Sequence, residues 1–359
     1  MSFFRLEFWR IVDRIDAKPL NATSRSSSAG SWLRGVWLAV SFAAWCSLSP
    51  PVEAVVDAKS QANTNAPSDG SPWTSVGNIN GAGGTYLGAG WVLTASHVGP
   101  GDANFGGIVY PWDGTWVRLT NSDGTSTDLT MFHLSSLPPM PRMQLATTAP
   151  AGLSTVDMIG FGHIAGSAQT NFGAYSGFYW SDGAYKSWGN NKVASGGTSV
   201  VNAGYGDVTA FHTVFDSSQQ TSDEAQASGG DSGGGVFQKS GSTWQMVGML
   251  DAIAQITTNR PPDTALYGDV TYCANIATYR AQIVSFIAAT PLLLTISNSG
   301  ANVLVCWPDS GVSNNLVTNP DLTTTNWTVS KPALTLTNGQ FCAQLPVTNS
   351  ACFFRLQEP

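Results

Sequence analysis

The chain has 359 residues, a formal net charge of −7, 42% hydrophobic residues and only 11% charged ones. That length suits two or three domains, and the acidic balance leaves no basic footprint for nucleic acid. Thirty-eight glycines, with frequent Ser, Thr and Asn, fit a β-rich secreted protein full of turns better than a helical cytosolic one.

Residues 1–35 carry six basic side chains, Arg5, Arg10, Arg14, Lys18, Arg25 and Arg34. An apolar run, "VWLAVSFAAWCSL", follows, and then "SPPVEA", with Val52 and Ala54 at the −3 and −1 positions of a signal peptidase site. The run is short for a span, which needs about 20 apolar residues. We expect residues 1–54 to be a signal peptide with a long n-region; an uncleaved membrane anchor is the alternative. Cleavage near Ala54 would remove six basic and four acidic residues and leave a net charge of −9. The mature chain is then expected to be secreted, periplasmic or on the cell surface, with no integral membrane span and an acidic surface that disfavours anionic partners.

Residues 55–72, "VVDAKSQANTNAPSDGSP", are small and polar and read as a linker. From residue 73 to 289 short apolar runs alternate with Gly, Asn, Asp and Pro, as in "GGTYLGAGWVLTAS", "TVDMIGFG" and "LYGDVTYC". Strands at this spacing make a sandwich or barrel. "ANIATYRAQIVSFIAA" (274–289) places Ile276, Tyr279, Ile283 and Phe286 or Ile287 on one face, which predicts a closing helix ended by Pro291. Residues 291–359 hold five further strand patterns and read as a small β-sandwich with Trp307 and Trp327 in its core. Of five cysteines, Cys46 leaves with the leader. Cys273, Cys306, Cys342 and Cys352 remain, allow three connectivities and contain no CxxC pair for zinc, so no metal or other cofactor is expected. One cross-strand disulfide is expected among the last three, with Cys273 or another left over.

The stretch "ASGGDSGGGVF" (227–237) surrounds one serine, Ser232, with glycines. A serine hydroxyl becomes a nucleophile when an imidazole takes its proton, a carboxylate orients that imidazole and backbone N–H groups receive the oxyanion. Four histidines are available. His97 ends an apolar strand pattern in "GWVLTASHVG". His133, His163 and His212 lie in strand or turn patterns that favour structural roles. Among the acids between His97 and Ser232, Asp128 opens the apolar run "DLTMFHL", whereas Asp123 precedes a glycine and reads as a turn residue.

"TASH" at His97, "TDLTMFHL" at Asp128 and "GGDSGGGVF" at Ser232 together resemble the trypsin/chymotrypsin-like serine peptidases, over about residues 73–289. The resemblance implies an all-β fold of two six-stranded antiparallel barrels with a closing C-terminal helix. It also implies a serine endopeptidase that hydrolyses protein or peptide substrates through an acyl-enzyme. It assigns Ser232 as nucleophile, His97 as general base and then acid, Asp128 as orienting carboxylate, and the Gly230 and Ser232 amides as oxyanion hole. The family's Ile-Val-Gly-Gly start, whose freed amine pairs with the acid before the nucleophile, is missing. The usual zymogen switch is therefore not expected, and Asp231 needs another donor. Gln226 aligns with the base of the specificity pocket, and Asp251, in "QMVGMLDAI", falls close to the triad. Asp251 could select a basic side chain, bridge to His97 or sit in a displaced loop.

Two rival functions stay open: a non-catalytic binding protein on a peptidase scaffold, and an esterase using the same three residues. "GAGGTYLGAG" (81–90) lacks a nucleotide-binding spacing and reads as a hairpin, and "NSDGTSTD" (121–128) reads as a turn rather than a calcium loop. The C-terminal stretch is similar to small β-sandwich modules that end secreted bacterial proteins, particularly of planctomycete-like and verrucomicrobial lineages. Surface attachment or spacing is its expected role, and stabilisation alone is the alternative.

Overall fold

The structure is a computed structural model that describes residues 55–59, 63–166, 168–183, 185–347 and 352–357. The expected signal peptide lies outside the described residues, all of which fall in one compact unit. The architecture is all-β apart from a short 3-10 turn and a single α-helix among the described residues. Two curled antiparallel sheets form a chymotrypsin-like double barrel, and a smaller pair of sheets follows the helix.

The first sheet contains seven strands where six were expected, and a short hairpin, Ala103–Phe105 with Ile108–Tyr110, forms one edge. It begins with the hairpin Val76–Ile79 to Ala82–Gly88, turned by Asn80 and Gly81 at φ 51° and 86°. Two successive positive φ values are what an Asn-Gly turn supplies at low strain. Trp91–Ala95 and Ser126–Leu134 then pair across the centre, with Ala95 opposite Leu129. Both are almost wholly buried, because their two faces meet different cores. Leu93, Leu129 and Met131 point into the core shared with the second sheet, and Val92 and Phe132 point into the core of the first.

The second sheet also has seven strands, in the order Ser187–Lys192, Thr155–Gly160, Gly235–Ser240, Thr243–Ala254, Val270–Asn275, Asp207–Val214 and Ser199–Asn202. Its long strand Thr243–Ala254 pairs with Gly235–Ser240 up to Met249 and with Val270–Asn275 up to Ala254. The register shifts between Leu250 and Ala252, which leaves Asp251 as the extra residue of a bulge. The helix Ile276–Ala289 closes the region. Ile276, Tyr279, Ile283 and Ile287 are buried, the face the spacing predicts, and Phe286 is only partly covered.

The stretch 55–72, expected to be a linker, opens with a short paired segment. Val55 and Val56 are fully buried, and Val56–Asp57 pairs with Ala225–Gln226. Downstream, Asn63 and Asn65 carbonyls accept from the Trp188 backbone and indole N–H groups.

The C-terminal region contains a four-stranded and a three-stranded sheet around Val305, Trp307, Leu316 and Ala343. Cys306 and Cys342 stand directly opposite each other and form a disulfide, leaving Cys273 as a buried thiol and Cys352 as an exposed one. Trp327 is not part of that core. It lies half-buried with the Arg355 guanidinium 4.3 Å from its ring centroid, so a cation covers the indole instead of apolar packing.

Candidate active site

Asp128 sits near the start of a buried strand, and its carboxylate uses both oxygens on His97. Oδ1 accepts from the His97 backbone N–H at 3.0 Å, and Oδ2 lies 2.6 Å from Nδ1 of the ring. The Ser96 amide also donates to the Asp128 carbonyl, so the turn after Trp91–Ala95 is tied to the carboxylate's own strand. This arrangement fixes the imidazole's direction and favours its cation. The hydrogen bond to Asp128 raises the pKa of His97 above its ordinary value. Partial burial opposes that rise, and the charges of Asp128 and Asp251 add to it.

Ser232 lies in the turn between Ala225–Gln226 and Gly235–Ser240. Its carbonyl accepts from Gly83 of the first sheet, and the Gly233 amide donates to Leu250 of the second. The turn is therefore clamped between the two sheets. Gly230 has φ 93°, and a Cβ there would stand 2.7 Å from the Phe161 carbonyl oxygen. Only glycine meets both demands. Neither the Gly230 nor the Ser232 amide donates to an acceptor among the described residues. These two N–H groups remain available to an anionic oxygen.

His97, Ser232 and Asp251 line one open cavity of about 230 Å³, room for a side chain of a larger ligand. No hydrogen bond joins Ser232 Oγ to His97 among the described residues, although such bonds are often loose without substrate. Asp251 is 5% exposed, and its Oδ1 has no partner. Burial, and then the charge of Asp128, push its pKa up to about 7, while His97 acts in the opposite direction. The bulge that leaves Asp251 unpaired turns it toward this cavity, a use of bulges common beside reactive sites.

Gln226 takes a different place. It is 1% exposed, lies opposite Val56 in the short strand pair and is not among the cavity's lining residues. Of the two expected pocket residues, Asp251 reaches the cavity and Gln226 is covered by the Val56–Asp57 strand. The remaining histidines are engaged elsewhere. His133 places Nδ1 2.6 Å from Asp113 and Nε2 3.1 Å from the Ala89 carbonyl, so both ring nitrogens are occupied. His163 stacks on Trp180 and bonds the Ser181 carbonyl, and His212 packs beside Tyr272.

Two contributors were not legible in the motifs. Tyr205 packs its ring against His97 with centroids 4.7 Å apart; only its place in "AGYGD" hinted at a tight turn. Val55 places its backbone nitrogen 3.3 Å from Asp231 Oδ2. Asp231 thereby finds, in the residue after the expected leader, the donor that the missing Ile-Val-Gly-Gly start left unassigned. Ser228 adds its amide at 2.7 Å and its hydroxyl at 3.1 Å to the same oxygen. Burial nevertheless pushes Asp231 up to about 7, and these hydrogen bonds only moderate the shift.

No known family's sequence profile matches the chain, and no curated protein matches it. Among solved structures, the inactive form of the Rv3671c protease of M. tuberculosis is similar at 15% identity, with 62% of this chain and 97% of that one covered and a TM-score of 0.39. The NS6 protease of murine norovirus 1 is similar at 17% identity, with 59% and 94% covered and a TM-score of 0.36.

Proposed function

We propose that the chain is an exported serine endopeptidase. The observation that carries this reading is the His97–Asp128 pair, at 2.6 Å, sharing a cavity with Ser232 and its two unengaged neighbouring amides. Ser232 Oγ attacks the scissile carbonyl carbon while His97 takes its proton. The negative oxygen of the tetrahedral intermediate is received by the Gly230 and Ser232 N–H groups. His97 then returns the proton to the leaving amine as the C–N bond breaks, leaving an acyl ester on Ser232. Water, deprotonated by His97, cleaves that ester and regenerates the hydroxyl. Asp128 holds the ring so that Nδ1 carries a proton and Nε2 faces the reaction.

The substrate is read as a protein or peptide in extended form. Beyond Met249 the strand Thr243–Ala254 keeps its pairing with Val270–Asn275 but loses its partner on the other side, so the edge of 251–254 is open beside the cavity. A peptide can add there as a further strand. Export is supported by the leader pattern and is compatible with the Cys306–Cys342 disulfide. Among the described residues no helix is long and apolar enough to cross a membrane. Residues 291–359 are assigned to attachment or spacing at the cell surface.

A peptide library incubated with the exported protein tests the reading. Cleavage with a consistent preference, lost in Ser232→Ala and in His97→Ala, is expected. Ester hydrolysis without any amide cleavage would favour the esterase reading. Neither activity in folded, processed protein would favour the binding protein.

A further inference from the structure

The turn that carries Tyr205 is built to hold an aromatic ring against His97. It joins Ser199–Asn202 to Asp207–Val214 at the edge of the second sheet, and reaches the imidazole across the cleft. The Tyr205 and His97 rings are 4.7 Å apart and inclined by 32°, so the tyrosine covers a face of the imidazole rather than meeting it edge-on. Tyr205 remains 51% exposed and, with Ala203, lines the same cavity as Ser232.

Several contacts fix the backbone on which this ring is mounted. Arg118 donates from Nη2 to the Tyr205 carbonyl and from Nε to the Thr127 carbonyl at 2.6 Å, linking the turn to the residue before Asp128. Gly206 has φ 119°, and a Cβ there would collide with the Ser126 carbonyl oxygen. At the other end Asn202 accepts from the Gly204 amide at 2.7 Å and donates to Asp207 at 2.8 Å. An exposed tyrosine with no purpose would not need an arginine clamp and a glycine pressed against the neighbouring strand. Mounted on this backbone, the ring forms a wall beside the base.

Resting on the peptidase reading above, we propose that Tyr205 is a specificity-determining residue: it fills the space beside His97 and restricts the substrate residue just before the scissile one to a small side chain. A peptide laid along the open edge of 251–254 passes His97 as its carbonyl reaches Ser232. The side chain preceding the scissile residue then points toward the imidazole face that Tyr205 occupies. Glycine or alanine fits under the ring. Leucine or phenylalanine must displace it, losing the ring–ring contact and crowding the anchored turn. Because the exclusion acts on one substrate position, it alters the ratio of kcat/KM values and not the chemical competence of Ser232.

The test uses the full chain, expressed with its leader and purified after export, and two otherwise identical peptide substrates with alanine or leucine before the scissile residue. The native protein should favour alanine by about tenfold or more in kcat/KM, the discrimination typical of steric pockets. Tyr205→Ala should bring the ratio close to one by accelerating the leucine peptide, and Tyr205→Phe should retain the native ratio. An unchanged ratio in Tyr205→Ala would overturn the proposal, as would an equal slowing of both peptides, which would mark a merely structural role. Fluorophosphonate labelling of each variant keeps the two readings separate. Loss of labelling in the native protein would sink the peptidase assignment itself, whereas full labelling with an unchanged ratio would sink only the role of Tyr205.

Discussion

The backbone nitrogen of Val55 lies 3.3 Å from Asp231 Oδ2, directly behind the turn that carries Ser232. Val55 is buried and has φ 45°, a region that β-branched residues rarely adopt. Cleavage of the 54–55 bond would remove the preceding carbonyl that makes this φ costly. It would also convert an amide donor into an ammonium facing a buried carboxylate. The expected signal peptidase cut and the residue that reaches Asp231 therefore coincide.

Activity should depend on that new amine. The exported protein is expected to begin Val-Val-Asp-Ala on N-terminal sequencing. Asp231→Asn, which keeps the shape but loses the charge, should lower kcat/KM by at least about tenfold, because an uncompensated buried ammonium then faces the turn. Activity should also fall in alkaline solution as the ammonium deprotonates, at a pH above about 8, the ordinary α-amino value, since the ion pair favours the charged form. A mature N-terminus elsewhere, with full activity, would contradict this account.

The uncut and cut chains should differ in the pH dependence of stability. Burial raises Asp231 to about 7 in the folded state with only neutral donors around it. A carboxyl with a raised folded pKa is penalised for ionising. The uncut chain therefore loses stability as pH rises from the unfolded value near 4 to about 7, and then levels off. An ammonium at Val55 offsets this penalty. Thermal unfolding between pH 4 and 8 should show a steeper decline for the uncut chain than for the processed one.

Asp251 should shift the acid limit of activity that the His97–Asp128 pair sets. General base catalysis needs neutral His97, and the charges of Asp128 and Asp251 favour its cation. Asp251→Asn removes one of those charges. The acid limb of the kcat/KM profile should then move to lower pH, because the imidazolium loses stabilisation and gives up its proton more easily. An unmoved limb would separate Asp251 from the base electrostatically and leave it a role in the cavity alone.

Gly230→Ala tests the shape of the turn. A methyl group at φ 93° is strained, and it would press on the Phe161 carbonyl oxygen from 2.7 Å. The strain costs about 1–3 kcal/mol. Its relief would turn the Gly230 amide away from the oxyanion position. A fall in kcat of about 10²-fold or more is expected with KM little changed, the pattern for a donor used mainly in the transition state.

The grouping of His97, Asp128 and Ser232 around one cavity was legible because each residue resides in a local pattern that predicts one strand or turn. "TASH" ends a buried strand, "DLTMFHL" opens one, and "GGDSGGGVF" needs its glycines in place. Strand pairing then brings Ala95 opposite Leu129 and sets His97 on Asp128. Contacts across long separations were not legible. Val55 reaches Asp231 across 176 residues, and nothing in a polar, small-residue stretch signals that its two valines will be buried in two different clusters. Tyr205 approaches His97 only because a hairpin from the other sheet folds over the cleft. Gln226 was placed by alignment with a pocket base, but a short strand covers it instead. His133 shows the converse hazard: it forms a second histidine–aspartate pair, with Asp113, whose ring has no nitrogen left for a serine.

In the proposed function, Ser232 is a nucleophile activated by His97. Treating the exported protein with a fluorophosphonate and locating the adduct by peptide mass mapping tests it most directly. One adduct is expected, on Ser232, formed at a rate that falls by at least about 10³-fold in His97→Ala and absent in Ser232→Ala. Processed, folded protein that takes up no adduct, or carries it on another residue with Ser232 unmodified, would contradict it.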